Sequence, residues 1–361
     1  MNSIKIMHCA DLHIGAELSS LSSLASERRA EILHTLGTIR DICIERGVEL
    51  LLIAGDFFDS NDVSADTLKN VKAYFESVPD TFVAITPGNH DYLSADSPYN
   101  TKWSENVHIF KTAETIEING VHIHSVPFVS AYSDSFSLPK AKDGTNILLM
   151  HADLSGGPYN PITAPIIAKT GMDYVALGHV HKATDILYAD TVPYAYCGCP
   201  EPLGFDELGP KGVYIGTVSK NRTELEFLPI NKRSYETVSL DVSSANDSNE
   251  IITLAKDAIT GHENNLIKLL LEGECDFTPD TEFINAGLER SVYYIKTRDC
   301  TYVRENLDLI KNEQTLKGIF VNKMLSRIEQ CVDAEEKEKL KEALRLGLAA
   351  LNMREVEFSD N

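Results

Sequence analysis

Five short stretches in the first half of this 361-residue chain share one layout: an apolar run of strand character stops at side chains that bind metals. They are Asp11-Leu12-His13, Gly55-Asp56-Phe57-Phe58-Asp59, Gly88-Asn89-His90-Asp91, the lone His151, and Gly178-His179-Val180-His181. Singly, each could be coincidence. Together they supply Asp, Asn and several His side chains, enough to hold a pair of divalent cations. Ligands scattered over so much sequence can meet only if several strands lie side by side and end at one rim. That requirement limits the fold more than any bulk property does.

The intervening sequence fits such a fold. Ile4 to His8 reads as a strand ending at the first motif. Ser26 is placed to cap a helix carrying Ile32, Leu33, Leu36, Ile39 and Cys43 at helical spacing, with Gly47 as its stop. Glu49 to Ala54 is a continuous apolar run, the pattern of a strand buried on both faces. Ser64 opens a second helix with Leu68, Val71, Tyr74, Phe75 and Val78, and Thr81 to Ile85 is the next strand. Asn146 to Met150 and Asp173 to Leu177 lead into the last two motifs. In layered α/β folds, ligands bind at the carboxyl ends of strands, where every one of these motifs stands.

Beyond Pro229 the character changes. Tyr235–Val242, Leu266–Leu271 and Val292–Ile295 read as strands. Helices are expected between them, one to about Thr260 with Gly261 as stop, the other from near Pro279 to Arg290. This predicts a small α/β unit over 231–302, following a first domain over 1–230. A charged helical region is expected over 303–361. Ile319, Phe320, Met324, Leu325 and Ile328 mark one apolar stripe there, and Leu340, Leu344, Leu348 and Leu351 a second. The stripes fit a helical pair packing on the body or a docking surface for another protein.

Composition narrows the function classes. The opening Met1–Ile6 leaves no room for a signal peptide, and no apolar run approaches the ~20 residues of a membrane span. Seven scattered Cys, an odd count, are expected to be reduced thiols in a cytoplasm. Cys197-Gly198-Cys199 fits neither a zinc site nor a redox pair. The net charge of −21 sits awkwardly with nucleic-acid binding, because no run of Lys and Arg stands out.

The chemistry of the motifs is more specific. Phosphodiesters resist hydrolysis because their charge repels a nucleophile and the alkoxide leaves poorly. Two cations roughly 3.5–4 Å apart answer both difficulties. Such a pair needs a shared carboxylate, and Asp56 is the candidate. The amide oxygen of Asn89 suits a hard ion, while the several His argue against pure magnesium. Manganese is favoured, with iron, zinc and magnesium as alternatives. His90 follows Asn89 directly, points away from it, and is free for acid–base work.

In order and residue type these motifs resemble the calcineurin-like metallophosphoesterases, over about residues 8–181. The N-terminal spacing and the extra C-terminal unit look most like the SbcD-type and YhaO-like DNA repair exonucleases. The resemblance implies a four-layer α/β/β/α sandwich with a small C-terminal α/β cap and terminal helices. It also implies that Asp11, His13, Asp56 and His181 hold one metal, and that Asp56, Asn89, His151 and His179 hold the other. His90 would donate a proton to the leaving oxygen or stabilise its developing charge, with Asp91 orienting it. Some relatives carry His where Asp59 stands, so Asp59 is expected to steady His13 or His181 rather than keep that position's substrate contact. DNA as substrate, an SbcC-like coiled-coil ATPase docked on the C-terminal helices, and a homodimer follow from the same resemblance.

The remaining histidines, His8, His34, His108, His122, His124 and His262, read as ordinary structural or surface residues. His122 and His124 are expected on an outward polar face. Three functions remain in view: a metal-dependent DNA exonuclease that also cuts single strands internally, a phosphodiesterase or phosphatase for nucleotides and other small esters, and a metal-binding scaffold. The segment beyond residue 230 favours the first, and the acidic surface the second.

Overall fold

Two compact units, Met1–Glu236 and Thr237–Asn361, make up the chain. The structure, a computed structural model, describes residues 3–302 and 307–351, so parts of the expected helical region (303–306 and 352–361) lie outside it. The first unit opens with β1 (Ser3–Cys9), α1 (Ala25–Arg46), β2 (Leu50–Ala54), α2 (Ala65–Glu76) and β3 (Phe82–Thr86). After β4 (Val107–Ile109) come β5 (Glu114–Ile118), β6 (Val121–Ser125), β7 (Thr145–His151), α3 (Ala164–Ala168) and β8 (Tyr174–Gly178). The strands β9 (Leu187–Ala189), β10 (Val192–Tyr196), β11 (Gly212–Ser219) and β12 (Arg222–Pro229) complete the unit.

These strands form two six-stranded sheets, in the orders β12-β11-β1-β2-β3-β4 and β5-β6-β7-β8-β10-β9. The motif-bearing strands are parallel within each sheet, β1 to β4 in one and β6, β7, β8 and β10 in the other. All five residues of β2 are buried, as a strand covered on both faces requires. On one face, Leu51 and Ile53 pack with Leu36 and Ile39 of α1 and with Val71 and Phe75 of α2. On the other, Leu50, Leu52 and Ala54 share a core with Ile123, Ile147, Leu149 and Ala176 of the second sheet. The sheets therefore face each other beneath a helical layer. The fourth layer is thinner than a helical layer would be. Ile162, Met172 and Ile167 of the five-residue α3 cover the outer face of the second sheet.

Local details depart from expectation in two places. Ser26 does not cap α1; the helix starts at Ala25 behind a short 3-10 turn, and Leu24 stands at the cap without a side-chain bond. Ser64 does cap α2, its hydroxyl accepting from the Thr67 amide. His124 does not face outward either. It is fully buried, between Thr115 Oγ1 at 2.8 Å and Asn146 Oδ1 at 2.9 Å. β6 lies inside its sheet, between β5 and β7, and those neighbours satisfy both ring nitrogens.

The second unit carries β13 (Tyr235–Asp241), α4 (Ser248–Ala258), β14 (Leu266–Glu272), α5 (Thr281–Leu288) and β15 (Tyr294–Asp299). Its strands form one sheet in the order β13-β14-β15. The helices α6 (Leu307–Ile310), α7 (Leu316–Gln330) and α8 (Ala334–Leu351) follow. Their stripes pack on each other: Val321, Met324 and Ile328 meet Leu344 and Leu348. Among the described residues, no helix is long and apolar enough to cross a membrane.

Leu52 lies at 0% exposure between the two sheets. Leu52→Ala should cost about 2–5 kcal/mol of stability, read as a lowered midpoint in urea unfolding.

Candidate metal centre

The loops that follow β1 and β2 prolong the pairing of those strands. The Asp11 amide donates to Gly55 O at 3.1 Å, and the His13 amide to Asp56 O at 3.0 Å. This places the first two motifs side by side. Their backbone is unusual: Asp11, His13, Asp56 and His179 all have positive φ, at 52°, 44°, 46° and 107°. Such conformations cost non-glycine residues about 1–3 kcal/mol each and persist where surrounding structure enforces them. Two motif glycines show what enforces them here. A Cβ on Gly88 would lie 2.2 Å from Asp56 Oδ1, and one on Gly178 would lie 1.9 Å from Ala54 O. The loop after β3 and the end of β8 are thus drawn against the β2 motif, where any larger residue would intrude.

Around these loops the candidate side chains join into one cluster. His13 Nε2 stands 3.2 Å from His181 Nε2. Asp56 Oδ2 lies 3.8 Å from His13 Nε2 and 3.2 Å from His151 Nε2. His151 Nε2 is also 2.9 Å from Asn89 Oδ1 and 3.3 Å from His179 Nδ1. Asp11 accepts the His179 amide at 3.1 Å and lies 3.8 Å from His151 Nδ1. Ligand atoms of Asp11, His13 and His181, and those of Asp11, Asp56 and His151, lie within 4.8 Å of one another. All seven residues expected to be ligands are in this network.

The donor chemistry of the cluster fits cations. His151 Nδ1 faces the Ala54 carbonyl oxygen at 3.0 Å, and a carbonyl only accepts, so Nδ1 carries the hydrogen. Nε2 is then the nitrogen that faces Asn89 Oδ1 and the Asp56 carboxylate. His13 and His181 repeat the arrangement, with their Nδ1 atoms on Asp59 (3.1 Å) and Glu207 (2.5 Å) and their Nε2 atoms turned toward each other. Acceptors this close repel unless something positive lies among them. The basicity of the groups records that pressure. Burial works against charge on His151, but Asp56 and Asp11 outweigh it and lift its pKa to about 9. Burial likewise opposes charge on Asp56, yet His151 and His13 hold its carboxyl well below the usual range. His179 goes the other way, lowered to about 4 by burial and by His151.

The residues flanking the cluster differ in what they touch. Asp91 was expected to orient His90, but its carboxylate is fully buried and committed elsewhere. It accepts the amides of Phe57, Phe58 and Gly88 at 2.9, 3.0 and 2.7 Å, and the Tyr99 hydroxyl at 2.5 Å. Asp91 therefore ties the second motif to the third. His90 takes its orientation from the Asp59 carbonyl oxygen, 3.1 Å from Nδ1, and its amide donates to Asp56 Oδ1 at 2.9 Å. Its exposed ring lies edge-on to His13, with centroids 4.8 Å apart. Sequence reasoning missed Glu207, which lies in a loop with no motif around it. Cys199, set aside in the sequence, places its thiol 3.4 Å from Glu207 Oε2. It also reaches His181 O at 3.5 Å, and ligand atoms of His181, Cys199 and Glu207 lie within 4.8 Å of one another.

Residues 4–183 match the calcineurin-like phosphoesterase family. Over 299 residues the chain is 28% identical to the uncharacterized metallophosphoesterase YhaO of Bacillus subtilis, covering 76% of this chain and 72% of that protein. It is 25% identical over 296 residues to the DNA double-strand break repair protein Mre11 of Saccharolobus solfataricus, covering 75% and 76% respectively. SbcD, a subunit of the nuclease SbcCD of Bacillus subtilis, is 25% identical over 258 residues, covering 57% of this chain and 64% of that protein.

Two outcomes follow from the geometry. A cation at His151 must displace a proton held up to about pH 9. Manganese affinity, measured by calorimetry, should therefore climb between about pH 6 and 9, by up to roughly tenfold per unit. Glu207→Ala should weaken metal binding about 10–100-fold by releasing the His181 ring, detectable in the same titration.

Proposed function

The chain belongs to the calcineurin-like phosphoesterases through residues 4–183, hydrolases of phosphoester bonds, and from that premise we propose that it is a two-metal DNA exonuclease that also cuts single strands internally. The observation that carries the two-metal reading is the position of Asp56, whose Oδ2 stands between His151 Nε2 at 3.2 Å and His13 Nε2 at 3.8 Å. Asp11, His13, Asp56 and His181 would hold one cation, and Asp56, Asn89, His151 and His179 the other. Bound there, divalent cations neutralise phosphate oxygens and make a water acidic enough to attack in line. Mixed nitrogen and oxygen donors admit manganese, the first choice in this reading, with iron, zinc or magnesium as alternatives.

The protein's own groups supply the rest. The Asp59 carbonyl keeps the hydrogen on His90 Nδ1, so Nε2 is the atom that exchanges a proton with the leaving oxygen. Asp59 and Glu207, through their carboxylates, hold the rings of His13 and His181 at the angle the cluster needs. Asp91 acts at one remove, by keeping the His90 loop against the Asp56 loop.

DNA as substrate draws its support from relatives named for double-strand break repair and nuclease activity, and from the α/β sheet of the second unit. A coiled-coil ATPase partner belongs to the same reading. Leu309, Leu316 and Ile319, exposed at 68%, 72% and 54%, leave apolar surface for it on the C-terminal helices. A cytoplasmic setting accords with seven free cysteines. The net charge of −21 favours a second reading, hydrolysis of nucleotides or other small phosphoesters.

The test is direct. End-labelled duplex DNA incubated with the protein and manganese should shorten from an end. Survival of both the duplex and single strands while a small diester is cleaved quickly would establish the second reading instead. His90→Ala should retain its metals, measured by elemental analysis, and lose about 10²–10⁴-fold in turnover.

A further inference from the structure

One group of side chains beside the cluster has no part in the chemistry above. The segments after β6 and β7 bring Tyr132 and Tyr159 together in a tilted stack, with ring centroids 5.7 Å apart and planes at 34°. Tyr159 in turn lies over His179, at 5.0 Å and 36°. The three rings form a stair from a candidate metal ligand to the surface. Its outer step, Tyr132, is 65% exposed.

The backbone holds this stair firmly. Ser133 and Tyr159 form a parallel bridge, the Ser133 amide donates to Pro158 O at 2.9 Å, and the Asn160 amide to Ser133 O at 2.7 Å. Asn160 is fully buried and donates through Nδ2 to His151 O at 3.2 Å. The loop bearing Tyr159 is therefore anchored to a residue of the metal cluster. Asp153 braces the same loop, accepting from the amides of Ser155 at 2.6 Å and Gly157 at 3.1 Å. An aromatic face exposed on so well-fastened a loop is prepared to stack on a planar group without paying to order itself.

We propose that Tyr132 is the contact face of a nucleobase subsite, which seats an unstacked base of the substrate strand while its phosphodiester lies at the histidine–aspartate cluster. The proposal rests on the nuclease reading and deepens it: the preferred substrate is a single strand or a frayed end, not a fully stacked duplex. Stacking on aromatic side chains tolerates every base, because each has a π face. It also needs no basic stripe, which suits a chain of net charge −21. A base paired within a duplex is stacked on both sides and cannot reach Tyr132 until it leaves the helix.

The experiment compares two single-stranded oligonucleotides in manganese, one intact and one with a tetrahydrofuran abasic residue at the scissile nucleotide. The intact protein should cut the abasic strand roughly tenfold or more less efficiently, with the loss chiefly in KM. Tyr132→Ala should lose as much on the intact strand, and on the abasic strand the two losses should not add. Tyr132→Phe should restore the intact-strand rate, since only the ring is required. Equal cutting of both strands by the intact protein, or additive losses in Tyr132→Ala, would overturn the stacking subsite while leaving the nuclease reading standing. If neither strand is cut but a small diester is, the nuclease reading itself has failed and the subsite falls with it.

Discussion

Asp56 is asked to keep a negative charge where there is almost no water, with its Oδ2 atom facing imidazole nitrogens from two sides. Much of the first unit can be understood as what that position requires. The carboxylate survives burial because His151 and His13 answer its charge, and its other oxygen is held by the His90 amide at 2.9 Å. Bringing those groups so near means drawing three loops and two sheets to one point. Gly88 and Gly178 stand where the approach is closest, and left-handed backbone at Asp11, His13, Asp56 and His179 absorbs the remainder.

Strain of this kind would be costly in isolation. It is offset because the strands beneath are buried on both faces, α1 and α2 above and the second sheet below. The surrounding hydrogen bonds spread the load further. Asp91 gathers amides from two motifs, and Asp59 and Glu207 turn histidine rings. Residues outside the seven-member cluster thereby decide where lone pairs point, and lone-pair direction is what a cation senses.

The acidic surface looks different beside this site. A strongly negative chain is poorly suited to gripping DNA along its backbone. On the proposed reading, cations held by the cluster and a row of aromatic rings would ask little of surface charge, because one would engage the phosphate and the other the base. The tilted stack of Tyr132, Tyr159 and His179 is the part of the rim where such recognition has a physical basis.

Local sequence determined a good deal by itself. Apolar runs such as Leu50–Ala54 declared buried strands, Ser64 and Gly47 declared helix ends, and the motif residues declared their family by type and order. All of these are short-range properties, written in neighbours along the chain. The tertiary structure decided what depends on partners far away. Glu207 could not be foreseen, because nothing near it in sequence speaks of His181. Asp91 looked like a partner for the adjacent His90, yet folding gave its oxygens to Phe57, Phe58 and Tyr99. His124 alternated like a surface residue until β5 and β7 closed around it. Hydrogen-bond partners are assigned by which strands become neighbours. Strand order is settled by packing the whole core, and no local pattern records it.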